Sequence, residues 1–359
     1  MPTNDDAAAA DPDLLDRLST MVSNLVKVTT TKASIGQTPR QAIWTLNKAT
    51  LFRYTPMVPA EKRHPIPLLL VFALMNKAAI LDLRPGNSFV EFLLQKGYDV
   101  YLLDWGTPGP EDAQTSLGDY VLEYIPRAVR KLRSFSGSEE FNLLGWCIGA
   151  MLVTLYASLR PSEGPKSLIL LTAPLDFTEH DKIPLAKMSD ERYFDIDRVL
   201  QAFGNMPGGL IDYGAKMLKP VENFVGGYTR LFDHLDNSKI VDSWHAMNTW
   251  VSDAIPLAGT AFRQFIVDFY RENKLVKGTL SVRGERVDLK QLRASLLNVI
   301  GEDDHITPPC QSEKILDLVG STDKELLRLP GGHIGLMAGS GAYKVAWPRI
   351  DAWLAKRSS

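Results

Sequence analysis

Residues 143–149 read Leu-Leu-Gly-Trp-Cys-Ile-Gly, and no other stretch constrains the fold of this chain so tightly. An apolar run leads into it and a helix-like run leads out. Glycine, any residue, cysteine, any residue, glycine at such a junction predicts a sharp strand-to-helix turn with Cys147 at its tip. The two glycines meet a steric demand, because bulkier neighbours would collide with the adjoining strand and helix. At a helix start, free N–H groups and the helix dipole favour a thiolate and a nearby oxyanion. A free cysteine is also a common small buried hydrophobe. The position at the strand-to-helix junction favours a chemical role for Cys147 over that plainer one.

The runs on either side alternate in type. Leu68–Ala73 is continuously apolar, as a strand buried on both faces should be. Asp99–Trp105, Phe141–Leu144, Ser167–Thr172, Ser295–Ile300 and Lys324–Leu329 read as further strands. Ser88–Gln95, Leu117–Ser134, Ala150–Ser158, Gln311–Val319 and residues 340–356 read as the helices between and after them. Alternating strands and helices predict a mostly parallel sheet. With the cysteine turn, they predict the α/β-hydrolase fold. Over residues 177–285 the alternation lapses into helix-like pieces separated by glycines and rich in aromatics, including Phe224, Tyr228, Trp244 and Trp250. This stretch is expected to be an inserted, largely helical cap over the site. The expected division is a tail and helical segment over 1–50, a core from 51–176 and 286–359, and the cap over 177–285. Within the first part, residues 1–12 are small and acidic and are expected to be disordered. Residues 13–50 are expected to be helical, with Leu14, Leu15, Leu18, Met21, Leu25 and Val26 on one face, either as core packing or as a docking face.

Composition excludes several classes. Lys+Arg is 40 against 42 Asp+Glu, a net charge of −2, which argues against nucleic acid as the main partner. Two cysteines, Cys147 and Cys310, fit a reducing, cytoplasmic compartment. No Cys/His spacing suggests a zinc site, and neither a metal nor a cofactor is expected. The first residues are polar and acidic, unlike a signal peptide. The longest apolar run, Ile66–Ala73, is interrupted by Pro67 and is too short to span a bilayer.

A cysteine nucleophile needs a base, and the base needs a group to orient it. In this fold the chain order is nucleophile, acid, histidine. Cys147 is followed by Asp303 and Asp304 and then by His333, each just past a predicted strand end. Either aspartate could be the acid, or a turn residue ahead of Pro308. His305 could also serve as a base, but it sits beside the acid in sequence and is expected to point elsewhere. His64, His180, His234 and His245 have no such setting. The oxyanion hole should use the Ile148 N–H and a second N–H within Ala73–Asn76, with Ala73 as the candidate.

Several segments resemble one family, the polyhydroxyalkanoate synthases. They are Leu81-Asp82-Leu83-Arg84-Pro85, Asp99–Gly106 with its Asp-Trp-Gly, the cysteine turn, Lys219–Asn223, Phe262-Arg263-Gln264-Phe265, Asn273-Lys274-Leu275, Asp304-His305 and Gly332-His333-Ile334. The resemblance covers about residues 40–355 and is closest to the short catalytic subunits of class III. It implies that (R)-3-hydroxyacyl groups, 3-hydroxybutyryl above all, pass from coenzyme A to Cys147 and then to the hydroxyl end of a growing polyester. It implies that His333 activates Cys147 and that Asp304 helps activate the 3-hydroxyl. In the general reading Asp304 orients His333, and the two roles are compatible. The implied partners are the acyl-CoA, the polyester chain, a second non-catalytic subunit and a second copy of the chain, at the surface of polyester granules. One departure is Ala150, where the family usually has glycine. The competing readings are a cysteine thioesterase, lactonase or polyester depolymerase on the same scaffold, and a granule-associated subunit with a relic site. CoA release with polymer, free acid or neither would separate them.

Overall fold

The computed structural model describes residues 12–339 and 341–359. The tail expected over residues 1–12 therefore lies outside the described residues, apart from Pro12, which opens a helix. Eight strands form the central sheet. They are β1 (Arg40–Leu46), β2 (Ala49–Tyr54), β3 (Leu68–Val71), β4 (Val100–Asp104), β5 (Asn142–Trp146), β6 (Ser167–Leu171), β7 (Ser295–Gly301) and β8 (Lys324–Leu329). Their order is β1-β2-β4-β3-β5-β6-β7-β8, and β2 alone runs against the rest.

The apolar runs explain the centre of this sheet. β3 and β6 have helices on both faces, so every residue along them is buried, with no alternation of apolar and polar positions. Three helices matter for the site: α1 (Pro12–Thr30), α2 (Ile148–Leu159) and α3 (Ser238–Val251). α2 is apolar on every side and buried over Ile148–Ser158, because it threads between the sheet and neighbouring helices. Its two hydroxyls are satisfied within the helix, Thr154 donating to the Ala150 carbonyl and Ser158 to that of Thr154.

One expectation fails. Residues 13–50 are helical only as far as Thr30. Residues 40–54 form the hairpin β1–β2 at the antiparallel edge of the sheet. Asn47 and Lys48 make its two-residue turn, with Asn47 at φ 52°, a conformation asparagine tolerates better than most residues. β1 is a half-exposed edge strand, so its sequence lacks the alternation that marks a strand with one buried face.

α1 lies against the 177–285 insertion. Met21 and Val28 pack on Leu231, Leu235 and Val241, and Asn24 donates to the Leu235 carbonyl. Arg17 pairs with Asp236 and Lys27 with Asp242. Of the face expected to be apolar, Met21 packs, while Leu14, Leu15, Leu18, Leu25 and Val26 are exposed.

Candidate active site

The site lies where the carboxyl ends of β3, β5, β7 and β8 converge, the place this topology reserves for chemistry. β5 stops at Trp146 and α2 begins at Ile148. Cys147 between them has φ 56° and ψ −126°. That is a costly backbone for a residue with a Cβ, and it persists because its surroundings hold it. The Cys147 N–H donates to the Leu171 carbonyl at 2.9 Å, and its own carbonyl accepts from Ala150 and Met151. The flanking glycines fit only without side chains. A Cβ on Gly145 would lie 2.6 Å from the Ala150 Cα, and one on Gly149 would lie 2.3 Å from the Val71 carbonyl oxygen. The departure at Ala150 is absorbed, since its methyl sits fully buried in the core.

The two loops that follow β7 and β8 are stapled together. Asp303 N–H donates to the Gly331 carbonyl, and the Asp303 carboxylate accepts from the Gly331 N–H at 3.1 Å. Gly331 has φ 113°, which only glycine adopts without strain. The turn points Asp303 outward and Asp304 inward. Asp304 is buried, and one of its oxygens accepts from the N–H groups of Ile306 and Thr307. The other accepts from His333 Nδ1 at 2.7 Å. Backbone donors on one oxygen fix the carboxylate so that the second can hold the ring.

His333 is buried, with its ring 6.0 Å from that of Trp146, centre to centre. Burial alone would pull its pKa down, but Asp304 and Cys147 outweigh this and hold it well above the ordinary value. With Nδ1 committed to Asp304, Nε2 is the atom left to hydrogen-bond Cys147. Ile148 is the first residue of α2, so its N–H has no partner within the helix. The Ala73 N–H makes no backbone bond to another described residue.

A cavity of about 570 Å³ opens above these groups. Phe72, Ala73, Cys147 and His333 line its floor, and Tyr228, Trp244 and Met247 of the insertion line its roof. His305 lines it too, contrary to the expectation that it points elsewhere. Its Nδ1 is buried without a protein partner, and burial, with help from Lys219, lowers its pKa. Adjacency in sequence to Asp304 does not turn the ring away, because both residues lie in the irregular segment that follows β7. Trp146 also went unread, although it packs on both Phe72 and His333. Three of the other four histidines are engaged elsewhere: His64 stacks on Tyr98, His245 bonds to the Thr31 carbonyl and His234 to that of Arg230, while His180 lies in the short turn of helix at His180–Lys182, away from the cavity. Among the described residues no group of three or more His, Cys, Asp or Glu is placed to hold a metal ion. No helix among them is long and apolar enough to cross a membrane.

Comparison with known proteins adds to this geometry. Residues 81–340 match the model of the alpha/beta hydrolase fold, and residues 13–93 match that of the poly-beta-hydroxybutyrate polymerase (PhaC) N-terminus. The chain is similar to the poly(3-hydroxyalkanoate) polymerase subunit PhaC of Haloferax mediterranei, with 39% identity over 96% of this chain and 69% of that one. It is similar to that of Allochromatium vinosum, with 36% identity over 90% of each chain. The subunit from Synechocystis sp. shares 33% identity over 96% of this chain and 92% of its own. Among solved structures, a soluble variant of monoglyceride lipase from Saccharomyces cerevisiae superposes with a TM-score of 0.57 at 16% identity, covering 93% of this chain and 98% of that one. The monoacylglycerol lipase of Paleococcus ferrophilus gives 0.51 at 19% identity, covering 82% and 96%. The lipases show the shared fold alone.

Proposed function

The chain belongs to the PhaC family of poly(3-hydroxyalkanoate) polymerases, and from that premise we propose that Cys147 carries the acyl chain, with His333 and Asp304 serving it. The observation that carries this reading is the His333 Nδ1 to Asp304 bond at 2.7 Å beside a cysteine held on a strained turn.

The substrate is an (R)-3-hydroxyacyl-CoA, with 3-hydroxybutyryl-CoA as the first candidate. His333 holds the thiol proton at Nε2 before the substrate arrives, as an imidazolium that Asp304 stabilises, and the Cys147 sulfur attacks the thioester carbonyl. The oxygen that becomes negative sits between the N–H groups of Ile148 and Ala73. CoA leaves as thiolate and takes the proton from the His333 imidazolium. The 3-hydroxyl of another unit or chain end then loses its proton to His333 and attacks the acyl-cysteine, forming an ester and freeing the sulfur. Asp304 orients the ring through Nδ1 and stabilises the imidazolium in both halves. No step needs a metal or a cofactor. The aromatic side chains over the cavity favour transfer to a hydroxyl over hydrolysis, because a cover that excludes water would protect the waiting thioester.

The exposed apolar residues of α1 support work with a second, non-catalytic subunit, as in class III enzymes. A homodimer in the cytoplasm, at the surface of polyester granules, completes the reading. The test is one assay. The purified chain is mixed with (R)-3-hydroxybutyryl-CoA, with and without a candidate second subunit, and CoA, polymer and free acid are followed. CoA release with polymer supports the reading, and release with free acid alone overturns it in favour of a thioesterase. Full, lag-free polymerisation by the chain alone would remove the second subunit.

A further inference from the structure

Asp104 ends β4, the strand beside β3, Trp105 and Gly106 follow it, and none of the three lines the cavity above Cys147. Their geometry turns one side chain inward. The Asp104 carboxylate accepts from the Gly106 N–H at 2.9 Å and closes the turn. Gly106 has φ 71°, and a Cβ there would lie 2.5 Å from the Lys48 carbonyl oxygen, so the chain bends where only glycine fits. Trp105 is thereby buried, with its ring edge-on to Tyr120 at 5.1 Å. Its indole N–H donates to the Phe72 carbonyl at 2.9 Å.

The Phe72 carbonyl and the Ala73 N–H belong to one planar trans peptide, so they point in opposite directions. Anchoring the oxygen fixes the direction of the N–H. Phe72 and Ala73 line both the large cavity with Cys147 and a smaller one of about 180 Å³ with Trp105. Trp105 thus grips this peptide from the side away from Cys147. The start of α2 presses on the same backbone, since a Cβ on Gly149 would lie 2.7 Å from the Phe72 carbonyl oxygen. A bond to the oxygen also polarises the amide and makes its N–H a better donor.

We propose that Trp105 is a positioning residue for the oxyanion hole: its indole N–H holds the Phe72–Ala73 peptide so that the Ala73 N–H faces the oxygen that becomes negative when Cys147 is acylated. This rests on the reading that Cys147 is the acylated nucleophile. Trp105 touches neither substrate nor sulfur and acts through Ala73.

The test compares two reactions of the same thiol. Acylation by (R)-3-hydroxybutyryl-CoA builds an oxyanion, whereas alkylation by iodoacetamide displaces iodide at carbon and builds none. Trp105→Phe keeps an aromatic ring and removes the donor. We expect single-turnover CoA release to fall roughly 10- to 100-fold, the loss of one oriented hydrogen bond at an oxyanion site, with little change in KM. Alkylation of Cys147, read by mass spectrometry, should stay within about twofold, since no oxyanion forms. If the phenylalanine variant folds poorly, Trp105 is replaced by 3-benzothienylalanine, whose sulfur stands where the N–H was. That chain should show the same selective loss. Equal loss in both reactions would make Trp105 a packing residue and overturn the proposal, as would a wild-type acylation rate in the benzothienyl chain. A wild-type protein that releases no CoA, or a Cys147→Ala protein that does, would instead defeat the underlying reading of the site.

Discussion

The floor and the roof of the cavity are built by different means. Every group on the floor is tied down by backbone geometry or by a buried side chain. Cys147 is held by a strained turn between two crowded glycines, Asp304 by two N–H groups, and His333 by Asp304 and Trp146. The roof is made of helices that leave large aromatics open. Tyr213, Phe224, Tyr228 and Phe232 are between 41% and 56% exposed. Its polar ties to the rest of the chain include Trp250 donating to the Lys77 carbonyl, Lys77 pairing with Asp253, the Ala33 N–H donating to Thr249, and His245 bonding to the Thr31 carbonyl. Reacting groups need positions fixed to fractions of an ångström, while a cover that opened to a substrate would need low local stability. The contrast predicts that small chemical changes on the floor are ruinous and that similar changes in the roof are mild.

The largest effect falls on the sulfur. Cys147→Ala should abolish CoA release, and Cys147→Ser should leave at most a trace, because a hydroxyl is far less acidic than a thiol. Cys310→Ala should be nearly silent. Wild-type turnover in Cys147→Ala would remove the floor from the argument. Next comes the acid. Asp304→Asn should lower turnover by roughly 10³–10⁴, as loss of the orienting carboxylate does in related constellations. Asp303→Asn should cost about tenfold or less, because Asp303 braces a loop and touches no reacting group. The reverse ranking, measured under the same conditions, would give the role to Asp303.

This floor was legible from the chain because its signals are local and ordered. The glycines around Cys147, the acidic turn after β7 and the Gly-Gly-His after β8 each mark a strand end, and the fold dictates that these ends meet. Choosing Asp304 over Asp303 took the family resemblance, since both flank the same turn and only the turn's geometry separates them. The β1–β2 hairpin was illegible, because an edge strand with half-exposed residues has no buried face to impose a period. His305 and Trp146 were missed for another reason: nothing in their neighbours in sequence shows what faces them in space. Trp105 lay in a motif that the family likeness singled out, yet its work depends on a peptide more than thirty positions away.

A weaker effect separates charge from chemistry. The His333 pKa lies well above its ordinary value when folded, so the folded chain holds a proton that the unfolded chain has lost. Stability from this group is therefore full below the unfolded pKa of about 6.5 and fades as pH rises through the folded value. The Tm of wild type minus that of His333→Gln should be greatest near pH 6 and shrink steadily at higher pH. A difference that grows with pH would mean that the ring is neutral at rest and that burial outweighs Asp304.

The smallest effect belongs to the roof. Lys77 and Asp253 join the loop after β3 to the end of α3, and their side chains are 45% and 38% exposed. An ion pair so open to water contributes about 0.2–1 kcal/mol. Asp253→Asn should then raise the open population of the roof by at most about fivefold. Amide exchange over α3 should rise by that factor while β3 stays unchanged, and turnover should shift less than about twofold if opening is not rate-limiting. Added salt should mimic the substitution in wild type and have no further effect in the variant, because screening and removal act on the same interaction. Exchange over α3 that ignores both changes would mean that the buried Trp250 contact holds this edge alone. Exchange as slow as that of β3 and indifferent to a bound substrate analogue would make the insertion part of the core, and the distinction between floor and roof would fail.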